Sequence, residues 1–146
     1  MKKATEKKSS GKLSKAEFEA LAEFRYQLRR FLRFSEEATR KQGVTPLQYQ
    51  LMLQIKGFPG REWASVGELA ERLQAKHHGV VSLISRCESS GLVTRNVSRG
   101  DMRLVEVHLT AEGEQCLQTL ARMHRAEHVS LGKRSSPDLK ALRSGK

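Results

Sequence analysis

Residues 65–91, SVGELAERLQAKHHGVVSLISRCESSG, constrain this chain most, because they spell two helices with no room for a loop between them. Ser65 and Glu68 have the N-cap and N3 spacing of a capping box, which fixes where the first helix starts. Val66, Leu69, Ala70 and Leu73 then recur at helical spacing and mark its buried face. The connection falls at Gln74 and Ala75. A second helix comes next with Val80, Leu83, Ile84 and Cys87 inward, and Gly91 is placed to end it. Lys76, His77, His78, Gly79, Ser82 and Arg86 are left on its outside, a polar and partly basic face. Two helices at a steep angle, the second carrying such a face, form the pattern of a DNA-reading helix-turn-helix.

The residues after Gly91 extend the pattern. Residues 92–97 alternate apolar and polar, Ser98-Arg99-Gly100-Asp101 interrupts, and residues 104–109 alternate again with Val105, Val107 and Leu109 on one face. This predicts a hairpin with a basic tip carrying Arg99 and Arg103, and a helix-turn-helix joined directly to a hairpin is a winged helix. The succession GLV, SRGDMR and VHLTAEG resembles the MarR family of bacterial transcription regulators, over residues from about Thr45 to Gly113. The resemblance implies a mainly α fold with a small β wing, in which first and last helices interlock two subunits and the winged domains bind double-stranded DNA. It also implies that Asp101 orients Arg103 for insertion into the minor groove, where negative potential attracts an arginine. Relatives usually open the second helix with a Ser or Thr cap. Here Ala75-Lys76-His77-His78-Gly79 offers none, and Gly79 suggests close approach of the backbone to DNA or to the preceding helix.

Charge agrees with a nucleic-acid partner only in part. The net charge is +11, but six Lys against one Glu in residues 1–15 and five Lys or Arg against one Asp in residues 131–146 supply +9 of it. Only +2 remains for residues 16–130, so any footprint on DNA has to be local, in the wing and on the helix face. Neither a signal peptide nor an apolar run of membrane-spanning length is apparent, which points to a cytoplasmic protein. Cys87 and Cys116 fall on apolar helix faces and read as buried, inert thiols.

In chain order, residues 1–13 form a basic tail expected to be disordered. Ser14 with Glu17 opens a helix that Gly43 stops, so residues 14–44 constitute a dimerisation helix. Leu21, Phe24, Leu28 and Phe31 form one stripe along it while Phe18, Leu32 and Phe34 lie off that stripe. A helix so widely apolar buries two sides, one of them against a partner chain. Residues 45–110 make the winged domain. Thr45-Pro46-Leu47-Gln48 combines an N-cap, a proline at N1 and a capping-box glutamine, with Leu47, Leu51 and Ile55 as core behind it. Phe58-Pro59-Gly60 breaks that helix, and Trp63 sits where a short strand can pair with the wing. Residues 111–146 hold C-terminal dimerisation helices and a basic tail. Thr110 caps a helix to Leu131 with Leu117, Leu120 and Met123 inward, and Gly132 and Pro137 set off a last stub, 138–143.

No cofactor, metal site or enzyme pattern is expected. His77 and His78 are adjacent and diverge by about 100° on a helix. His124 and His128 have the i, i+4 spacing of a zinc pair but lack further ligands, and read as solvent-exposed. The leading expectation is a homodimeric, sequence-specific regulator, commonly a repressor, on a pseudo-palindromic operator. By resemblance it responds to a small aromatic effector, for which Phe24, Leu28, Phe31, Gln50 and Trp63 are candidates although core packing also accounts for each. Alternatives are a winged helix serving as a protein-interaction module, and non-specific nucleic-acid binding through the tails.

Overall fold

The computed structural model describes residues 11–97, 100 and 104–143. The order is α1 (Lys15–Lys41), α2 (Pro46–Lys56), β1 (Trp63–Ser65), α3 (Val66–Leu73), α4 (His77–Ser89), β2 (Val93–Val97), β3 (Val105–Leu109) and α5 (Ala111–Arg143). The chain divides into two compact units. One takes in the chain up to Leu32 and from Glu127 onward; the other is Arg33–Ala126. No helix among the described residues is long and apolar enough to cross a membrane.

The second unit is the winged helix. Its helix starts are local in origin: at both Thr45 and Ser65 the reciprocal capping-box bonds are made. In the first, Thr45 Oγ1 accepts from the Gln48 backbone at 3.2 Å, and Gln48 Oε1 accepts from the Thr45 backbone at 2.9 Å. Gly91, at φ +76°, ends α4 as a left-handed residue, with Gly91 N–H donating to Glu88 O and Leu92 N–H to Cys87 O. The turn between α3 and α4 takes the same geometry without a glycine, Gln74 standing at φ +50°.

Three antiparallel strands lie in the order β1-β3-β2, with Ala64 opposite Val107 and Val93 opposite Leu109. The core lies between this sheet and α2, α3, α4 and the start of α5, around Leu51, Met52, Ile55, Leu69, Ile84 and Val107, all fully buried. Leu47, expected in this core, is exposed. The inward face of α2 is instead Gln48, Tyr49, Leu51, Met52 and Ile55, and Leu47 sits in the first turn on the flank of that face.

His124 overturns a second expectation. It is 2% exposed, its Nδ1 2.7 Å from Leu120 O and its Nε2 2.9 Å from Ser35 Oγ, and its ring stacks on Tyr49. A carbonyl only accepts, so Nδ1 carries the proton and both ring nitrogens are engaged. Within the other unit, His128 is exposed and lies against Phe31, ring centroids 4.6 Å apart. α5 also runs on through Gly132, which the helix formers Leu131, Lys133 and Arg134 flank, and through Pro137, where a break was expected. In that unit α1 leaves Phe18, Leu21, Phe24, Tyr26 and Leu32 exposed, and Val129 of α5 is 54% exposed.

Candidate nucleic-acid interface

The recognition face is built by α4. Val80, Leu83, Ile84 and Cys87 are buried, and this turns Lys76, His77, His78, Gly79, Ser82 and Arg86 outward, all six exposed. Lys76 is the N-cap and no side chain caps it, so the first N–H groups of α4 lack a side-chain partner and point to where an anion is favoured. Beside that end lies a recess of about 450 Å³ between α3 and α4, reaching from Gly67 to His77. Gly79 has open space around it: a Cβ there meets nothing within 4 Å. Among the described residues nothing packs closely enough to require a glycine there, so it does not serve to admit the preceding helix.

At the other end of α4, Arg86 borders an apolar recess of about 390 Å³ with Leu83, Thr45, Pro46, Leu47 and Gln48. This explains the exposed Leu47, which lines the recess rather than the core. Sequence reasoning passed over Arg95 on β2. Its Nη2 donates to Glu88 Oε1 at 3.2 Å and to Ser85 Oγ at 3.1 Å, both on α4. The Arg95 guanidinium holds the Glu88 carboxyl below its ordinary range. Strand parity was a usable signal, because Arg95 shares the inward side of β2 with buried Val93. Arg99, Asp101 and Arg103 lie outside the described residues, as do residues 1–10; Gly100 is exposed.

A second cluster braces the start of the helix-turn-helix. Arg61 lies over Trp63 at 3.8 Å and over Phe58 at 4.2 Å, and pairs with Glu68, the capping-box carboxylate of α3. Burial pushes the Glu68 carboxyl up, but the hydrogen bonds from Ser65 and the Arg61 charge outweigh it and leave it below the ordinary value. Trp63 is thus occupied by Arg61, and Gln50 is exposed on α2. Phe24, Leu28 and Phe31 share one stretch of α1 in the other unit, Phe24 exposed and the other two half-buried. Neither recess bordered by α4 includes any of these five, and nor does the one beside Cys116.

The thiols differ. Cys87 is fully buried, and desolvation raises it to about 11. Cys116, expected to be buried, is half-buried in an open recess with Gln42, Ser90, Glu112 and Thr119, and burial raises its pKa as well. Neither is a ready thiolate.

The model of the MarR family matches residues 42–104, which span the capping box of α2, the helix-turn-helix and β2, and end just before β3. Over that stretch the chain is similar to the MarR family. It is 31% identical over 102 residues to a putative transcriptional regulatory protein for the hcr operon of Thauera aromatica, covering 70% of this chain and 58% of that protein. It is 33% identical over 78 residues to the HTH-type transcriptional repressor MdtR of Bacillus subtilis, covering 53% and 48%. The matches therefore span about half the length of these relatives. Among solved structures, a mutant MarR from E. coli complexed with operator DNA superposes with a TM-score of 0.67 at 20% identity, covering 82% of this chain and 87% of that one. At that identity the likeness carries the fold, a winged helix with flanking long helices.

Proposed function

We propose that this chain is a sequence-specific DNA-binding transcription regulator, most simply a repressor, acting as a cytoplasmic homodimer on a pseudo-palindromic operator. The observation that carries the reading is α4. Its buried face is wholly apolar, and the six outward candidates are small, basic or imidazole-bearing, with uncapped N–H groups at the end nearest them, while the exposed Glu88 near its far end is held by Arg95. Such a face suits phosphate and base edges and has no apolar anchor for a protein partner. The wing residues Arg99, Asp101 and Arg103 follow it in sequence, and in the MarR pattern Asp101 orients Arg103 for insertion into the minor groove.

The homodimer is supported by α1, where Phe18, Leu21, Phe24 and Leu32 are exposed together, a set that water disfavours and a second copy can cover. A small aromatic effector, for which Phe24, Leu28, Phe31, Gln50 and Trp63 are the candidates, regulates only by preferring the arrangement that does not bind DNA. Selection of bound DNA from a random pool at stated salt tests the reading. An enriched inverted repeat supports it; a pool that stays random rejects it, and loss of all binding on removing residues 1–13 and 133–146 points to tail-driven association instead.

A further inference from the structure

We propose that Arg95 is a positioning residue that sets where the wing stands against α4; its purpose, though not its existence, rests on the DNA-binding reading. Along β2 the inward-facing residues are Val93, Arg95 and Val97, and their burial falls from 1% exposed at Val93 to 58% at Val97. Arg95 thus stands where the hairpin leaves the core. Its strand partner Val107 is fully buried, whereas the next pairs outward, Asn96 with Glu106 and Val97 with Val105, extend towards the tip.

At this border the guanidinium forks onto α4. Nε donates to Glu88 Oε2 at 3.4 Å, Nη2 to Glu88 Oε1 at 3.2 Å and to Ser85 Oγ at 3.1 Å. Two acceptors one helical turn apart, met by a rigid planar donor, fix direction as well as distance. The side chains of Arg95 and Glu88 are 33% and 42% exposed, so the pair adds little to folding stability. Its leverage is geometric: a swing of about 10° at Arg95 displaces a group three residues further along a strand by roughly 2 Å. The placement of Glu88 is otherwise hard to rationalise. A carboxylate on the helix that meets a polyanion weakens binding unless something else is gained by it.

That charge makes the test one of sign, carried out on the full-length protein with the operator it selects. Electrostatics alone has Glu88→Gln binding DNA more tightly, since a negative charge is removed. The clamp has Glu88→Gln binding its operator about tenfold more weakly, with non-specific affinity no lower. Arg95→Lys, which keeps the charge and loses the fork, should match it, and the double variant should be no worse than either single one. If Arg95 instead contacts phosphate, Arg95→Lys keeps its affinity and Glu88→Gln gains, and the proposal is overturned. Amide hydrogen exchange in the free protein judges the clamp without DNA: residues 95–97 and 105–107 should exchange about fivefold faster in both variants. Unchanged exchange there refutes it. A wild-type protein that selects no DNA sequence would overturn the regulatory reading while the exchange result still decides the clamp.

Discussion

Replacing Gly113 by alanine should destabilise the protein, although helix propensity alone says the opposite. Gly113 is the third residue of α5, its N–H donating to Thr110 Oγ1 at 3.0 Å in the helix cap. A Cβ at Gly113 would stand 2.0 Å from Leu92 O and 2.9 Å from Leu92 C, against a normal C···O approach of about 3.3 Å. Relief therefore requires a backbone movement of more than about 1 Å. Leu92 cannot yield freely, because its N–H ends α4 on Cys87 O and its carbonyl accepts from Thr110 N–H at 3.0 Å. Thr110 is held too, its hydroxyl donating to Gly91 O at 2.5 Å.

Overpacking costs about 1–3 kcal/mol, and loosening the Thr110 cap and one backbone bond adds about 1–2 kcal/mol. Alanine returns about 1 kcal/mol in helix propensity and lost unfolded-state entropy. The net expectation is a loss of roughly 2–3 kcal/mol, a large part of a normal stability. Urea denaturation at fixed protein concentration reads it as a lower midpoint at unchanged slope. A midpoint equal to or above wild type would refute the steric reasoning.

The same geometry carries further expectations. The exposed apolar residues of α1 should make the protein a homodimer at micromolar concentration, and sedimentation showing a clean monomer would contradict this. Arg103→Ala should weaken DNA binding without lowering the unfolding midpoint, reducing the salt slope by about one if it neutralises a phosphate; equal affinity for every DNA tested would remove the wing from the interface. Glu88, Glu114 and Glu68 all lie below their ordinary 4.5, so each loses its proton more readily folded than unfolded. Their contribution is complete above that value and is lost as pH falls through the folded values, so the urea midpoint should drop between about pH 5 and about pH 3. A midpoint constant over that interval would mean these ion pairs stabilise nothing.

The elements legible in the sequence are those with local causes. Thr45-Pro46-Leu47-Gln48 and Ser65–Glu68 carry their caps within four residues, and the Gly91 terminus needs only a left-handed residue in place. The outward face of α4 came from the spacing of its apolar residues, and all six candidates were found exposed. What was misread depended on other elements. His124 continues the inward series Gly113, Leu117 and Leu120 on α5, but its burial needs Ser35 and Tyr49, which are remote in sequence. Leu47 fits an apolar stripe on paper and is displaced from the core by the phase of its helix. The tie from Arg95 to Glu88 and Ser85 spans a turn between two elements, and only strand parity hinted at it.

The central claim, that two copies of the α4 face read DNA as a rigid two-fold pair, is tested most directly by changing the spacing of the selected operator. For both helices to dock on one side of straight duplex, half-site centres must lie about one turn, roughly 10–10.5 base pairs, or a multiple of it, apart. Inserting five base pairs at the centre rotates one half-site by about half a turn, to the opposite face. Quantitative footprinting on the native and spaced sites should then show binding fall to that of a single half-site, a loss of several kcal/mol if both halves contribute on the order of 1–3 kcal/mol per base pair. Equal affinity for the two sites would contradict the claim, because the two faces would not be held in a fixed relation.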